Sequence, residues 1–414
     1  MRIIISFVLL LLVISVHGQE TAQFRGPSRD GIFPEKGLIK KWPDGGPKLM
    51  VQIEGIGKGY SQPVVYKGII YITGIKQDTM DVISAYDLKG TLLWDKVYGH
   101  SWANSYSDTR STPTIQDNKI YLVGGMGTLC CLDAANGNVL WSQDPHKQFK
   151  GEYHRWGVAE SVLLTDQAAI YVTGGEETSV VAYDKITGKL FWKTKSMGGT
   201  RAYASPSLIE RNNLKIIIAQ TANDLMGINA LNGEIIWNFS FIPYHLGESG
   251  KGANTNMPIY HNGEIFVTSG YDHPATMFSL SGDGRSVSLK WKNDTMDTHH
   301  GGTVLVDGNL YGTNWLNNTK GQWVSINWNT GKTNWVKDWF TKGSIVSAEN
   351  LLYCYEEKGG NVALVQPDVN DFKIISTFKV EAGAGPYWAH PAIYNGMLFL
   401  RHGNVLMIYD IKGV

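Results

Sequence analysis

The chain lacks the residue patterns that mark haem proteins, zinc proteins and nucleic-acid-binding proteins. It has three cysteines in 414 residues, Cys130, Cys131 and Cys354, with no Cys-x-x-Cys pair and no Cys-x-x-Cys-His sequence. A bound c-type haem and a cysteine-rich zinc site are therefore not expected. Lys and Arg total 37, as do Asp and Glu, so the net charge is zero. This balance offers no basic excess for nucleic acid or for an anionic membrane surface.

Long apolar runs are also lacking, except at the N-terminus. Met1-Arg2 is followed by an apolar stretch over residues 3–16 and then by His17-Gly18-Gln19. This order of basic start, apolar core and small residue predicts a signal peptide over residues 1–18. An uncleaved signal anchor is the alternative, but the apolar stretch is short for one. The mature chain is expected to be exported, periplasmic or extracellular, and soluble, without a transmembrane segment.

A repeated unit, Asp-x-x-x-Gly-x-x-x-Trp with Asn in place of Asp in some copies, recurs along the rest of the chain. Its final aromatic residues are separated by 47, 51, 45, 54, 44 and 43 residues. They are Trp94, Trp141, Trp192, Trp237, Trp291, Trp335 and, in a degenerate seventh copy, Phe378. A constant period of roughly 40 to 50 residues is typical of propeller blades built from four short strands.

Polar turns divide each unit into strands. Asp117-Asn118, Asn262-Gly263 and Asn395-Gly396 each lie between β-branched and aromatic runs, and such pairs favour tight hairpins. The Gly before each repeated Trp makes a second hairpin. Each unit is therefore four strands, and the Trp is expected on the outermost strand, where its ring can wedge between neighbouring blades.

The N-terminal part of the chain can supply the strand that the last repeat lacks. Residues 409–413 match residues 86–90, but the chain then stops, and the missing outer strand is available at residues 47–51. Pairing the termini removes the exposed edges of an open sheet. We therefore predict an all-β fold, an eight-bladed β-propeller of four-stranded antiparallel blades closed by the N- and C-terminal strands. Residues 45–414 form this single domain, expected as a monomer, and residues 19–44 form a leader segment.

The element Ala182-Tyr183-Asp184-Lys185-Ile186-Thr187-Gly188-Lys189-Leu190-Phe191-Trp192 resembles the tryptophan-docking motif of the PQQ-like β-propeller repeat proteins, in the quinoprotein alcohol dehydrogenase-like superfamily. The resemblance covers roughly residues 40–414. The leader at residues 24–31 looks like that of secreted bacterial members. The family includes PQQ-dependent alcohol dehydrogenases and also non-enzymes, such as the propeller of the outer-membrane β-barrel assembly machine, so the fold alone does not give the activity.

The loops from each outer strand to the next inner strand are long and rich in polar and aromatic residues. They are expected to meet on one face, where Arg would hold carboxylates and Trp would stack on a planar ligand. The alternative is a polar channel whose side chains only satisfy the loop backbone and hold water. The candidate ligand-binding residues of this funnel are Trp102, Arg110, His154, Arg155, Trp156, Glu160, Arg201, Tyr203, Asn256, His299, His300, Trp388 and His390.

The resemblance raises the question of a PQQ cofactor. In the family's enzymes the quinone stacks on a Trp beneath a disulfide between adjacent cysteines, and Glu, Asn and Asp bind Ca²⁺. Cys130-Cys131 aligns instead with Val181-Ala182 in the third strand of a blade, where successive side chains face opposite ways, so free packed thiols are expected. No residue could be matched to the Ca²⁺ ligands. No cofactor is predicted, and PQQ with Ca²⁺ is the alternative.

His299-His300 is the one sequence that suggests a transition metal. Adjacent residues of a strand point to opposite faces, so both rings would not reach one ion, and two His fall short of a complete ligand set. No metal site is predicted there.

These observations favour a non-enzymatic binding or scaffold protein that uses its loop-rich face to hold a protein partner or a small ligand; catalytic residues are unknown. The first alternative is a PQQ- and Ca²⁺-dependent dehydrogenase of alcohols or sugars. The second is a carbohydrate-binding propeller with Trp102, Trp156 and Trp388 as stacking platforms.

Overall fold

The computed structural model describes residues 21–76, 79–244 and 252–413. The predicted signal peptide lies outside these residues. The strands assemble into eight four-stranded antiparallel blades, which confirms the predicted propeller. Among the described residues, no helix has the length and apolar character needed to cross a bilayer.

The strands follow one another from the inside of each blade to its outside. Two strands precede the first blade, β1 (Ile32–Phe33) and β2 (Lys48–Glu54). Blade 1 comprises β3 (Val64–Tyr66), β4 (Ile69–Lys76), β5 (Met80–Asp87) and β6 (Leu92–His100). Blade 2 comprises β7 (Thr114–Gln116), β8 (Lys119–Val123), β9 (Leu129–Asp133) and β10 (Val139–Gln143), and is followed by a short helix, α1 (Pro145–Phe149). Blade 3 comprises β11 (Leu163–Leu164), β12 (Ala168–Val172), β13 (Val180–Asp184) and β14 (Leu190–Lys193). Blade 4 comprises β15 (Ser207–Arg211), β16 (Leu214–Gln220), β17 (Asp224–Asn229) and β18 (Ile235–Ser240), and a 3-10 turn follows at Ile242–Tyr244.

The second half of the ring repeats the same order. Blade 5 comprises β19 (Ile259–His261), β20 (Glu264–Val267), β21 (Ala275–Leu280) and β22 (Val287–Asn293). Blade 6 comprises β23 (Val304–Val306), β24 (Asn309–Thr313), β25 (Trp323–Asn327) and β26 (Thr333–Lys337). Blade 7 comprises β27 (Gly343–Ala348), β28 (Leu351–Glu356), β29 (Asn361–Gln366) and β30 (Lys373–Lys379). Blade 8 comprises β31 (Ala392–Tyr394), β32 (Met397–His402), β33 (Val405–Asp410) and β2.

Closure of the ring follows the predicted pairing. Strand β2 pairs antiparallel with β33, with Lys48 opposite Asp410 and Glu54 opposite Val405. The N-terminal segment thus supplies the outer strand of the last blade, and neither terminal strand is left with an unpaired inner edge.

The repeated Trp residues lie between neighbouring blades as expected. The indole nitrogen of Trp141 donates a hydrogen bond to the Lys185 carbonyl of blade 3 at 3.1 Å, and its ring lies directly over Gly188, where an added Cβ would meet Trp141 at 2.6 Å. Four more such rings contact the turn or backbone of the following blade, those of Trp94, Trp192, Trp291 and Trp335. Trp237 packs among blade 4 and blade 5 side chains without a hydrogen bond from its indole nitrogen within the described part of the chain.

The adjacent cysteines occupy the third strand of blade 2, as predicted. Cys130 and Cys131 lie in β9, are buried, and carry free thiols. Burial raises the pKa of both thiols, that of Cys131 to about 12. They are packing residues of the interfaces between blades and lie away from the funnel.

The leader crosses the central channel. Ala22 pairs through its backbone with Ile115 on the inner strand of blade 2, and β1 pairs in parallel with β27 on the inner strand of blade 7. Between them, the buried Arg25 guanidinium donates to the carbonyls of Thr303 at 2.5 Å and Ile345 at 3.3 Å. The leader therefore plugs the channel and is fixed there by several blades at once.

Candidate funnel site

A cavity of about 500 Å³ lies on the face that carries the long loops. Its wall comes from seven of the connections between an outer strand and the next inner strand, from the loops between the second and third strands of blades 5 and 6, and from Phe24 of the leader. The structure brings together seven of the predicted funnel residues as lining: Arg110, Trp156, Tyr203, His299, His300, Trp388 and His390. The predicted convergence of these loops on one face is therefore present.

Two aromatic groups form much of the wall. Trp156 stacks on Tyr271, with ring centroids 5.8 Å apart and an interplanar angle of 17°, and Tyr203 packs beside it at 5.5 Å. The other group centres on Trp388, whose ring lies 4.9 Å from that of Tyr60. The first group comes from the loops around blades 3 to 5 and the second from the junctions on either side of blade 8. The rings of His299 and His300 connect them, since His299 lies 4.8 Å from Tyr271 and His300 lies 5.2 Å from Trp388.

Arg110 borders the cavity but its guanidinium is already used by the protein. It donates to the carbonyl of Trp156 at 2.6 Å and to that of Ser105 at 3.2 Å, and it also contacts the Tyr106 carbonyl. Burial lowers its pKa. Arg110 thus holds two neighbouring loops together, which fixes the position of Trp156.

Glu160 and Arg201 do not line the cavity. They form an ion pair at 2.6 Å in which both side chains are fully buried, and Arg201 also donates to the Tyr171 hydroxyl at 2.6 Å. Burial raises the pKa of Glu160 to about 7, and the charge of Arg201 opposes that shift. The pair lies inside the wall of blade 3, where it holds the loop before β15 against the blade.

The other predicted residues that do not line the cavity support its wall. His154 Nδ1 lies 2.9 Å from the Tyr203 hydroxyl, and Arg155 is exposed, with its guanidinium 5.3 Å from the Trp156 ring. Trp102 is buried against Gly157. The Asn256 amide donates to the Thr298 carbonyl at 2.6 Å and accepts from the Gly302 amide at 3.1 Å. These side chains fix the loops that carry the lining residues.

His299 and His300 do not lie on a strand. They occupy an irregular loop before β23, and their ring centroids are 4.3 Å apart. His299 Nε2 lies 2.7 Å from the Tyr271 hydroxyl, and His300 Nε2 lies 3.7 Å from a carboxylate oxygen of Glu357. The premise that the two rings face opposite ways, which excluded a metal site in the sequence analysis, therefore does not hold.

Burial sets the charges of this cluster. It lowers the pKa of His300 to about 3, with the nearby Lys342 charge acting in the same direction, and it lowers the pKa of His299 well below its usual range. Burial also raises the pKa of Glu357 to about 7, opposed by Lys342, whose ammonium lies 2.8 Å from the carboxylate. Both imidazoles are therefore neutral near pH 7.

Several lining residues were missed by the sequence analysis. Tyr60 and Tyr106 lie in the same class of loop as the predicted residues, so a full inventory of aromatic residues in these loops would have found them. Tyr271 lies in the loop between the second and third strands of blade 5, and Phe24 lies in the leader. Glu357 does not line the cavity but lies beside His300, and it occupies the corresponding loop of blade 7. No spacing in the sequence relates these three to the funnel.

The donors of this funnel do not match the PQQ and Ca²⁺ site that the resemblance implies. Glu160 is paired with Arg201, and Asn256 is bonded to the backbone of its neighbouring loop. The Asp297 carboxylate accepts from the amides of Trp315 at 2.8 Å and Asp272 at 3.2 Å. The adjacent cysteines lie within blade 2. Within residues 21–76, 79–244 and 252–413, these contacts leave no Glu, Asn and Asp set converging on the cavity.

A ring of eight four-stranded blades with tryptophan docking and a central funnel defines a PQQ-like β-propeller. The family model described as "Outer membrane protein assembly factor BamB" matches residues 79–337. Since this match covers more than half of the chain, the chain belongs to that family, and the predicted resemblance is confirmed.

The curated relatives include both an outer-membrane assembly factor and a quinoprotein dehydrogenase. BamB of Kangiella koreensis is 25% identical over 221 residues, covering 52% of this chain and 50% of that protein. The quinoprotein ethanol dehydrogenase of Pseudomonas putida is 25% identical over 194 residues, covering 42% of this chain and 30% of that protein. The chain thus spans half or less of the length of these two relatives. The structure of BamB from Moraxella catarrhalis has a TM-score of 0.61 at 14% identity, covering 88% of this chain and 98% of that one, a likeness that shows the fold alone.

Proposed function

We propose that this chain is an exported binding protein that holds a small ligand with a planar or cyclic face in its funnel. The observation that carries the proposal is the cavity of about 500 Å³ with aromatic groups on two sides. That volume lies within the range of small-molecule sites, ~300–1,000 Å³. Aromatic walls favour rings that can stack, among them sugars and aromatic acids.

Because most of the arginines near the funnel are bonded within the protein, we expect the shape of the ligand to matter more for binding than its charge. Arg110 is bonded to loop carbonyls and Arg201 to Glu160, so neither guanidinium is free for a carboxylate. Of the three arginines predicted for the funnel, Arg155 is the exposed one, and it lies beside Trp156, where it could contact an anionic group of the ligand. We therefore expect the ring of the ligand to contribute most of the affinity, with Arg155 adding selectivity.

The test is a binding screen with purified mature protein, followed by tryptophan fluorescence and melting temperature. The panel comprises oligosaccharides, aromatic carboxylates, and PQQ with and without Ca²⁺. For any ligand that binds, Trp156→Leu and Trp388→Leu should each weaken binding by about 2- to 13-fold, since one stacking contact contributes about 0.5–1.5 kcal/mol beyond its buried area. Phe191→Leu is the matched control, because Phe191 is 41% exposed on the outer strand of blade 3.

The outcomes separate the alternatives. Affinities that are unchanged in both Trp variants would refute binding in the funnel. Saturable PQQ binding that depends on Ca²⁺ would instead support the dehydrogenase alternative and justify a screen of alcohols and sugars. A response to oligosaccharides and not to PQQ would narrow the proposal to a carbohydrate-binding propeller.

Docking of a protein partner on the same face is a second candidate. Large apolar side chains exposed on the loops there include Tyr106 at 57%, Leu316 at 54% and Phe340 at 70%. The matching family is named for an outer-membrane assembly factor. Phe340→Asp should then abolish co-purification with outer-membrane β-barrel assembly proteins, while leaving small-ligand affinity in the funnel unchanged.

A further inference from the structure

A cluster of three potential metal ligands lies in the wall of the funnel. His299, His300 and Glu357 each offer one ligand atom, and these atoms lie within 4.8 Å of one another. Ligands of a tetrahedral Zn²⁺ at ~2.0–2.1 Å would be separated by ~3.4 Å. The His300 to Glu357 distance of 3.7 Å is already close to that value. Small side-chain rotations would bring the third atom into range.

The cluster also has unused ligand atoms. Nδ1 of His299 and Nε2 of His300 are buried and have no hydrogen-bond partner within the described part of the chain. A buried polar atom without a partner costs about 1–3 kcal/mol, so two such atoms beside one carboxylate need an explanation. A bound cation would satisfy both nitrogens at once.

Groups around the cluster are placed to orient these ligands. The Tyr271 hydroxyl lies 2.7 Å from His299 Nε2, so a proton on Nε2 would leave Nδ1 free to bind a metal. Lys342 lies 2.8 Å from one oxygen of Glu357, which leaves the other oxygen toward His300. Partners of this kind fix the orientation of metal-binding His and carboxylate side chains.

We propose that His299, His300 and Glu357 bind one first-row transition-metal ion, with Zn²⁺ as the reference ion, in the wall of the funnel. Two imidazoles and one carboxylate are a donor set typical of Zn²⁺, Fe²⁺ and Co²⁺, and differ from the all-oxygen sets that hold Ca²⁺. His299 and His300 line the cavity, so we expect the remaining coordination position to be reached from the funnel by a small exogenous ligand. The site does not depend on the function proposed above.

The test is metal titration of untagged protein that has been stripped with a chelator and exchanged into metal-free buffer. Zn²⁺ binding by calorimetry should show one site with micromolar or tighter affinity. Co²⁺ should give visible absorption bands of a four- or five-coordinate ion, and these bands should shift on addition of azide, which reports the open position.

Variants assign the binding to the cluster. His300→Ala and Glu357→Gln should each weaken Zn²⁺ binding at least tenfold and abolish the Co²⁺ bands. His261→Ala is the matched control, because His261 is exposed on β19 and its Nε2 faces Asn262. Melting temperature without metal shows whether each variant is folded, and His299→Ala provides a second variant if Glu357→Gln is not. Absence of saturable Zn²⁺ and Co²⁺ binding by the folded wild-type protein would overturn the proposal, as would equal affinity in the cluster variants and the control.

Discussion

Replacement of Gly188 by Ala tests the tryptophan docking that holds the ring together. Gly188 lies in the turn between β13 and β14 with a φ of +68°, and a Cβ there would lie 2.6 Å from Cδ2 and 3.0 Å from Cβ of Trp141. Trp141 belongs to the preceding blade and is 8% exposed. The new methyl group would therefore have to push a buried ring away from the neighbouring blade.

The expected cost has two parts. An L side chain in the left-handed region costs about 1–2 kcal/mol. Ordinary carbon contacts lie at ~3.5–4.0 Å, so the ring must move by about 1 Å, and overpacking of this kind costs about 1–3 kcal/mol. Since the nearest atoms include the Cβ of Trp141, a change of its rotamer cannot remove the clash. We expect Gly188→Ala to lower the free energy of unfolding by about 2–5 kcal/mol.

Gly308→Ala separates these two parts. Gly308 has a φ of +73° but nothing lies within 4 Å of the position of its Cβ, so this variant bears only the backbone cost. Denaturant unfolding followed by circular dichroism measures both variants, and Trp141→Ala with and without Gly188→Ala completes a double-mutant cycle. If Gly188→Ala costs no more than Gly308→Ala, or if removal of Trp141 does not relieve its effect, the docking argument is refuted.

Three further predictions concern the pH dependence of stability, the leader and the thiols. Burial lowers the pKa of His146 to about 3, so the neutral ring stabilises the fold above pH 6.5, and this stabilisation is lost as the pH falls toward 3. Between pH 6.5 and 4.5 the wild-type protein should therefore lose about 2 kcal/mol more free energy of unfolding than His146→Gln does. The same pH dependence in both proteins, measured by denaturant unfolding, would contradict this. Arg25→Ala should lower the melting temperature and expose the leader to limited proteolysis, whereas the exposed Lys36→Ala should do neither. Cys130 and Cys131 should resist iodoacetamide in the native protein and react after denaturation; a bond between them found by mass spectrometry in native protein would contradict the free thiols.

The fold could be predicted from the sequence because the contacts between blades depend on short residue patterns that recur in each repeat. Four glycines of the repeat lie where a side chain would strike the Trp ring of the preceding blade, Gly137, Gly188, Gly233 and Gly331, so their spacing locates the contact between blades. At Gly90 and Gly284 the nearest atoms belong to Ile, Val or Arg side chains of the preceding blade instead. Ring closure followed from the same logic, since residues 409–413 reproduce a blade edge that only β2 completes. Even the degenerate seventh copy follows this rule, because Phe378 packs against Gly46, which lies just before β2, the outer strand of blade 8.

The site could be predicted only in part because it depends on contacts between loops that are distant in sequence. Loop identity gave seven lining residues, but it did not distinguish a ligand-facing guanidinium from one bonded to carbonyls, as in Arg110. It also missed Glu357, whose position beside His300 arises from the packing of blade 7 against the loop before blade 6. Arg201 shows the same limit, since only its burial against Glu160 reveals a structural role.

The position of the leader determines from which face of the ring the cavity can be reached. An open propeller channel connects both faces, and a small ligand could leave by either one. Here residues 22–33 cross the channel, Arg25 is buried among the inner strands, and Phe24 lines the base of the cavity. Since β1 and Arg25 bond to the backbones of several blades, the plug is part of the folded ring rather than a loosely attached tail. The leader therefore covers the cavity on one side, and the ligand proposed above is expected to exchange through the face that carries Trp156, Trp388 and the His299-His300 cluster.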